Sequence, residues 1–253
     1  MSTDPTQNPL WPEGVLCRHL QSVDSTMAEA ARIAPTLTAP TWVVADTQTA
    51  SRGRRGRTWE SPVGNFAATL VYKPNCTPQQ AGLRSFMAAN ALFEALAMSV
   101  DRTKLSLKWP NDVLLNEGKV AGILLESAGS GAYVDWLSIG IGVNLSDVPP
   151  GITDAAFAPV SLTGEGGTPT DPMQLLARLA ADFATQEAKL WEFGFDIIRA
   201  DWLRHAARLG EVITARSTRS ELTGRFETID ADGNLVLITT DGPQAIPAAD
   251  IYF

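Results

Sequence analysis

The chain has 253 residues, of which 45% are hydrophobic and 19% are charged, and it contains seven Trp and nine Phe. This composition supports a sizeable core in one or two domains and excludes a disordered chain or a disulfide-stapled miniprotein. The formal net charge of −8 argues against a general attraction to nucleic acid or anionic membranes, so any anion-binding site has to be local.

Cysteine usage and the N-terminal sequence bear on the compartment. Cys17 and Cys76 lack metal-ligand spacing, so two free thiols in a reducing compartment are expected. The N-terminus lacks the basic and apolar regions of a signal peptide, and the most apolar stretch, 87–100, is interrupted by polar residues. We therefore expect a cytoplasmic protein without a membrane span, and a short flexible lead over residues 1–14.

The first predicted elements are a strand at 15–23 and a helix that ends before Pro35. Thr26 and Glu29 have the spacing of a capping box at the start of this helix. A second strand is predicted from residue 41 to residue 46. The segment around Thr26 is therefore expected at a helix N-terminus.

The middle of the chain predicts a helix and an antiparallel sheet. Apolar residues at helical spacing indicate one long amphipathic helix over 79–100. Four short strands follow, the second and third joined by a tight turn at 116–119. These strands are expected at 105–108, 112–115, 120–126 and 133–145.

The last part of the chain predicts two helices and a small β unit. The pair Asp171-Pro172 begins a helix that continues to Leu190, and a second helix is expected over 195–207. Beyond these, apolar alternation and Asp-Gly turns predict an all-β unit. Its expected strands are 212–214, 235–238 and 245–246. The predicted organisation is a lead (1–14), a main domain (15–208) and a C-terminal β domain (209–253).

The most concentrated positive charge lies in a predicted loop, residues 51–57 (SRGRRGR), before a strand at 66–72. The loop has four arginines within six residues, and its glycines let the backbone approach a ligand closely. Because arginine forms bidentate hydrogen bonds with phosphate and carboxylate, the loop suits a multiply charged anion. On composition alone a solvated basic loop is the leading interpretation, and a nucleic-acid patch is a further alternative.

A second candidate is the segment 108–112 (KWPND), followed by a hairpin that ends in Lys119. Pro110 sets a bend at the end of a strand, and the bend exposes the amide of Asn111 beside the carboxylate of Asp112. The tight hairpin can fold Lys119 back towards both groups. This trio suits phosphate and a divalent cation, and an ordinary strand–turn–strand is the alternative.

A third segment, 140–144 (GIGVN), alternates small residues along an apolar strand. This pattern favours either tight packing of a helix on the sheet or a ligand that lies against the backbone. His19 and His205 have no neighbouring nucleophile or metal partner in the sequence, and no G-x-S-x-G or G-x-x-x-x-G-K-[ST] motif is present. Hydrolase and P-loop chemistry are therefore unsupported.

In order and spacing, these motifs together resemble those of the biotin protein ligase family. The matching segments are 24–26 (DST), 48–57 (QTASRGRRGR), 108–112 (KWPND) with 119–124 (KVAGIL), and 140–144 (GIGVN). The resemblance covers nearly the whole chain and implies an α+β fold with a mixed central sheet packed with helices. Such a fold is that of the biotin/lipoate ligase catalytic domain, similar to class II aminoacyl-tRNA synthetases, followed by a small SH3-like C-terminal β barrel.

The resemblance implies a two-step reaction with ATP and biotin as substrates. The biotin carboxylate attacks the α-phosphate of ATP to form biotinyl-5′-AMP, and a lysine of a biotin carboxyl carrier protein then attacks the mixed anhydride. Mg²⁺ is expected, and one option places it near Asp112. Together with positive side chains it reduces the repulsion between the biotin carboxylate and the triphosphate. By similarity, biotin is bound by Ser25, Thr26, Gln48, Arg52, Gly53, Arg54 and Lys119, and the nucleotide by Arg57, Trp59, Asn111, Asp112 and Asn144. The residues expected to be catalytic are Arg54, Asp112 and Lys119.

Two positions depart from the family pattern. Ser51 stands where a glycine is usual, and Met27 stands where an asparagine commonly follows Ser-Thr. The Cβ of Ser51 is expected to alter the loop geometry or to reduce the affinity for biotin. Some family members carry an N-terminal helix-turn-helix domain. Because Ser25 lies so close to the start of the chain, we expect none here.

Two rival functions follow from the same features. Lipoate and octanoate protein ligases share the fold and the reaction class, but the arginine loop and residues 108–112 favour biotin. A nucleic-acid-binding module is the rival from another class. Residues 209–253 hold three Arg against seven Asp and Glu, a net charge of −4, which argues against it. We expect no specific DNA binding and no membrane association, and homodimerisation is open.

Overall fold

The computed structural model describes residues 4–56, 59–148, 157–216, 221–247 and 249–252. Its larger sheet has the strand order β1-β2-β3-β7-β6-β5-β4. β1 and β2 run parallel and the other neighbours run antiparallel, so the sheet is mixed. The strands are β1 (Leu16–Val23), β2 (Thr41–Gln48), β3 (Phe66–Tyr72), β4 (Leu105–Lys108), β5 (Asp112–Leu115), β6 (Gly118–Ala128) and β7 (Trp136–Val143).

The helices cover the larger sheet and supply much of its core. They are α1 (Thr26–Ile33), α2 (Pro78–Gly82), α3 (Arg84–Ala97), α4 (Pro172–Phe193) and α5 (Phe195–Arg204). Phe183 of α4 packs edge to face on Trp42 and Tyr72, with ring centroids 6.5 and 6.2 Å apart. α4 begins where predicted, because the carboxylate of Asp171 accepts hydrogen bonds from two backbone N–H groups of the first turn.

The predicted helix over 79–100 is wrong in its continuity. α2 ends at Gly82, and α3 begins at Arg84. The side chains of Thr77 and Gln80 form a capping box at the start of α2, and this local cap fixes a short separate helix. The large apolar residues of this stretch begin at Leu83, so their spacing carried no information on the short helix before them.

The predicted capping box at the start of α1 is also wrong. Ser25 is the N-cap residue and makes no capping hydrogen bond with its side chain, so Thr26 is the first helical residue. The carboxylate of Glu29 instead pairs with Arg18 and Arg32, each at 2.7 Å. The hydroxyl of Thr26 is thereby available for contacts outside the helix.

A second, antiparallel sheet lies in the C-terminal part of the chain, with the order β11-β10-β9-β8-β12. Its strands are β8 (Val212–Arg216), β9 (Glu221–Ile229), β10 (Leu235–Thr239), β11 (Gly242–Ile246) and β12 (Asp250–Tyr252). The predicted α+β fold, a mixed sheet with helices followed by a small β unit, is confirmed. β9 and β12 were not predicted from the sequence.

Hydrogen bonds join the turn between β9 and β10 to the main part of the chain. The indole N–H of Trp109 donates to the carbonyl of Gly233 at 3.1 Å, and the amide of Gln79 donates to Asp232 at 2.7 Å.

At the other end of the chain, residues 4–14 contain a 3₁₀ turn, Pro5–Gln7, and the indole of Trp11 donates to the carbonyl of Val15 at 2.8 Å. No described helix is long and apolar enough to cross a membrane.

Candidate active site

The motifs singled out in the sequence meet at one cavity of about 550 Å³. It lies over the centre of the larger sheet, between the start of α1, the arginine loop and the β5–β6 hairpin. Every predicted site residue except Arg57, which lies outside the described residues, lines this cavity: Ser25, Thr26, Gln48, Arg52, Gly53, Arg54, Trp59, Asn111, Asp112, Lys119 and Asn144.

Glycines of two neighbouring strands form part of the cavity floor. Gly142 of β7 pairs with Gly122 of β6, and a Cβ on Gly142 would lie 2.5 Å from the indole nitrogen of Trp59. A Cβ on Gly140 would lie 2.6 Å from the sulfur of Met27. The alternating small residues therefore admit these two large side chains against the backbone of the sheet.

A neutral polar group lies where α1 begins. The backbone N–H of Thr26 donates to Oε1 of Gln48 at 2.8 Å, and the hydroxyl of Thr26 donates to the same oxygen at 3.1 Å. The hydroxyl of Thr69, on β3, donates to the hydroxyl oxygen of Thr26 at 2.8 Å. This end of the cavity thus offers hydrogen-bonding groups without a net charge.

A charged cluster lies at the β5–β6 hairpin. Asp112 is held between two lysines, with Nζ of Lys119 2.6 Å from Oδ1 and Nζ of Lys108 3.3 Å from Oδ2. The ammonium groups also face aromatic rings, Lys119 at 5.6 Å from the ring centroid of Trp59 and Lys108 at 4.6 Å from that of Phe157. The hairpin does fold Lys119 back onto Asp112, as the sequence predicted.

Burial and charge act against each other in this cluster. Burial raises the pKa of the Asp112 carboxyl, but Lys119 and Lys108 outweigh burial and hold that pKa below its usual value. Burial lowers the pKa of Lys108 below its usual value, although Asp112 opposes the change. The Asp112 carboxylate is therefore ionised at neutral pH and fixes the position of two cations at the cavity.

The arginine loop, residues 51–57, is tied to the sheet through Asn111 and is closed at its base by Ser51 and Trp59. Nη1 of Arg54 donates to Oδ1 of Asn111 at 3.1 Å, and the amide nitrogen of Asn111 donates to the carbonyl of Ile123. At the base of the loop, the hydroxyl of Ser51 donates to the carbonyl of Trp59, while the N–H of Trp59 donates to the carbonyl of Ser51 at 3.3 Å. Ser51 therefore contributes a contact that a glycine would lack.

Asn144 presents an acceptor in the cavity wall. It is 2% exposed, and its side-chain nitrogen donates to the carbonyl of Val160 at 3.1 Å. Its Oδ1 has no hydrogen-bond partner among the residues that the structure describes. A buried acceptor in this state favours a ligand that brings a donor.

Asp112 does not fit a Mg²⁺ ligand in this arrangement. Both of its carboxylate oxygens face ammonium groups, at 2.6 and 3.3 Å. Within the described ranges, no group of three or more His, Cys, Asp or Glu side chains is placed to hold a metal ion. Because both oxygens of Asp112 are paired with lysines, this carboxylate is not free to bind a cation in this arrangement.

Several lining residues were not predicted. Lys108 belongs to a recognised motif but was assigned no role, and its burial becomes visible only when the hairpin is folded. Phe157 follows no motif in the sequence. Asp250 and Tyr252 reach the cavity from β12, a strand of three residues. More than a hundred residues separate them from the hairpin, so no local signal could have placed them there.

Comparison with known proteins defines the class. Residues 19–144 match the Biotin/lipoate A/B protein ligase family, and residues 209–253 match the Biotin protein ligase C terminal domain. The two matches lie one after the other, the first on the part of the chain that forms most of the larger sheet and the second on the part that forms the small sheet.

Two relatives and one solved structure are similar to this chain over most of its length. The biotin--[acetyl-CoA-carboxylase] ligase of Paracoccus denitrificans is 50% identical over 237 residues, 92% of this chain and 99% of that protein. A bifunctional ligase/repressor of Bacillus spizizenii is 32% identical over 94% of this chain and 74% of its own length. The Aquifex aeolicus biotin protein ligase in complex with biotin and ATP superposes with a TM-score of 0.77 at 26% identity, covering 93% of this chain and 97% of that one. The chain belongs to the biotin protein ligase family.

Proposed function

We propose that this protein activates biotin with ATP to biotinyl-5′-AMP and then transfers biotin to a lysine of a biotin carboxyl carrier protein. It is a ligase that forms a C–N bond. The 50% identical relative carries the name of a biotin--[acetyl-CoA-carboxylase] ligase, and the carrier domain of such a carboxylase is the proposed acceptor. We place the reaction in the cytoplasm.

The layout of the cavity supports a ligand with a neutral polar head and an anionic tail. β2, which carries Gln48, and β6, which carries Lys119, are three neighbour steps apart in the sheet. At about 4.8 Å per step, this separation is roughly 14 Å. Biotin has a ureido head and a carboxylate tail, so the head is placed at Thr26 and Gln48 and the carboxylate at Lys119.

In the first step, an oxygen of the biotin carboxylate forms a bond with the α-phosphorus of ATP, and the bond to pyrophosphate breaks. Two anions must approach each other for this reaction. Lys119, Arg54 and Arg52 supply fixed positive charge at the point where they meet and stabilise the charge that develops on phosphorus. Mg²⁺ accompanies the triphosphate in this proposal and takes no ligand from Asp112.

The nucleotide is placed beside Trp59. The indole and Phe157 provide aromatic surface for a base, and Oδ1 of Asn144 provides an acceptor for a hydroxyl or amino group of the nucleoside. Both amide atoms of Asn111 already bond to Arg54 and Ile123. We therefore assign Asn111 to holding the arginine loop.

In the second step, the amine of the acceptor lysine forms a bond with the biotinyl carbonyl carbon, AMP leaves, and the amine loses a proton. Asp112 is assigned to positioning Lys119 and Lys108, because its two oxygens face their ammonium groups. Sequence-specific DNA binding is not part of this proposal, and the oligomeric state is left open.

The observation that carries the proposal is that one cavity is lined by two groups of residues. One is the neutral hydrogen-bonding pair Thr26 and Gln48, and the other is the charged cluster Lys119, Asp112 and Lys108. The direct test is to incubate the protein with ATP, biotin and an apo carrier domain. We expect a mass increase of one biotinyl group on a single carrier lysine, dependent on ATP. A carrier that gains no biotin, or that gains a lipoyl group as readily, would contradict the proposal.

A further inference from the structure

The hydrogen bonds at the neutral end of the cavity have only one consistent direction. A backbone N–H can only donate, so the Gln48 atom 2.8 Å from the N–H of Thr26 is the amide oxygen. The hydroxyl of Thr26 lies 3.1 Å from the same oxygen and therefore donates its proton there. A hydroxyl has one proton, so the Thr26 oxygen can only accept the hydrogen bond from Thr69, at 2.8 Å.

Thr69 stands at the start of this chain of hydrogen bonds. It is fully buried on β3, outside all the motifs found in the sequence, and it pairs across the sheet with Gly140. Its hydroxyl orients the hydroxyl of Thr26, which in turn holds the oxygen of Gln48. The Nε2 group of Gln48 is then directed away from Thr26, and none of the residues that the structure describes accepts its protons.

We propose that Thr69 is a positioning residue that keeps the hydrogen bonds at this end of the cavity in their observed direction. The backbone N–H of Thr26 orients the Gln48 amide, and Thr69 holds the Thr26 hydroxyl on the same oxygen. The amide is thereby kept fixed, so that the cavity presents N–H donors to a carbonyl oxygen of the ligand. The inference rests on the proposed function, in which that oxygen belongs to the ureido group of biotin. In a ligand that carries a hydrogen-bearing nitrogen in place of this oxygen, an N–H donor would face the N–H donors of Gln48. Such a ligand is therefore rejected.

The test compares Thr69→Val, which keeps the shape and removes the hydroxyl, with Thr69→Ser, which keeps the hydroxyl. Biotin-dependent ATP–pyrophosphate exchange is measured with biotin and with 2-iminobiotin, whose ureido oxygen is replaced by such a nitrogen. For Thr69→Val we expect the KM for biotin to rise about tenfold, equivalent to about 1.4 kcal/mol, with kcat and the KM for ATP unchanged. The preference for biotin over 2-iminobiotin falls by the same factor, and Thr69→Ser restores both values.

A matched control is Ser138→Ala. Ser138 is fully buried on β7, and its hydroxyl has no hydrogen-bond partner among the described residues, so its KM for biotin should stay within twofold of wild type. Should Thr69→Val fail to fold, Thr69→Ala removes the same hydroxyl.

Three results would overturn the inference. One is a variant without the Thr69 hydroxyl whose KM for biotin is that of wild type. Another is an equal rise of KM for biotin and 2-iminobiotin, which would indicate a general loosening of the cavity. Wild-type protein that shows no exchange with biotin would overturn the proposed function, and this inference with it.

Discussion

Replacing Asp112 with Asn removes the negative charge between two lysines. The side chain of Lys119 is 29% exposed and can stay charged in contact with water, but that of Lys108 is only 7% exposed. In the variant Lys108 therefore has to lose its proton or remain buried as a cation without its nearest partner. The more distant Asp250 opposes the loss of the proton only in part.

The reference pKa of lysine sets the upper limit of the cost. At pH 7, removing the proton from a lysine with an ordinary pKa of about 10.4 costs about 1.4 kcal/mol for each of about 3.4 pH units. This limit of about 5 kcal/mol agrees with the roughly 3–5 kcal/mol lost when one partner of a buried ion pair is removed. We expect Asp112→Asn to lower the free energy of unfolding at pH 7 by about 3–5 kcal/mol.

The sign of the pH dependence follows from the proton on Lys108. In the variant the folded state holds Lys108 neutral and the unfolded state binds the proton, so stability rises with pH until about pH 10, by up to about 1.4 kcal/mol per unit. The difference between variant and wild type in the free energy of unfolding, measured with urea, should therefore become smaller from pH 7 to pH 9. The reasoning would be refuted if the variant lost less than about 1 kcal/mol in free energy of unfolding at pH 7, or if this difference did not become smaller as the pH rises.

The control is Asp46→Asn. Asp46 pairs with His19 at 2.7 Å, but the side chains are 52% and 43% exposed. We expect a change in the free energy of unfolding of less than about 0.5 kcal/mol at pH 7.

Three other predictions concern the site. Lys119→Ala should reduce biotin-dependent pyrophosphate exchange by at least about 100-fold, because a cation at the developing phosphate charge is lost; near-normal exchange would place Lys119 elsewhere. Gly142→Ala should raise the KM for ATP at least about tenfold, since its Cβ would meet Trp59 at 2.5 Å. Gly131→Ala, whose Cβ meets nothing within 4 Å, is the control and should match wild type. Arg54→Ala should increase the dissociation rate of biotinyl-5′-AMP more than that of biotin, and equal effects in stopped-flow measurements would show that Arg54 does not act on the phosphate.

Local signals in the sequence predicted the elements that local interactions fix. β3 has the predicted ends, and the hairpin at Asn116 and Glu117 forms because both residues adopt positive φ. α4 starts at its predicted cap. β9 was missed although Gly224 and Phe226 are buried between the exposed residues Thr223, Arg225 and Glu227. Its alternation was present in the sequence, but charged residues on the outer face obscured it.

What the sequence could not provide depends on contacts between distant segments. The motifs indicated which residues gather at the cavity, yet nothing local places the Trp59 indole on Gly142 or brings Tyr252 to the wall. Thr69 carries no signal at all, because a threonine in an apolar strand is ordinary. Its role becomes visible only when the sheet sets its hydroxyl 2.8 Å from Thr26.

The central claim is the identity of the acid that is activated. The most direct measurement is ATP–pyrophosphate exchange by the purified protein with biotin, lipoate or octanoate as the only carboxylic acid. The account predicts exchange with biotin and none above background with lipoate or octanoate at the same concentration. Exchange that is equal or faster with lipoate would contradict it.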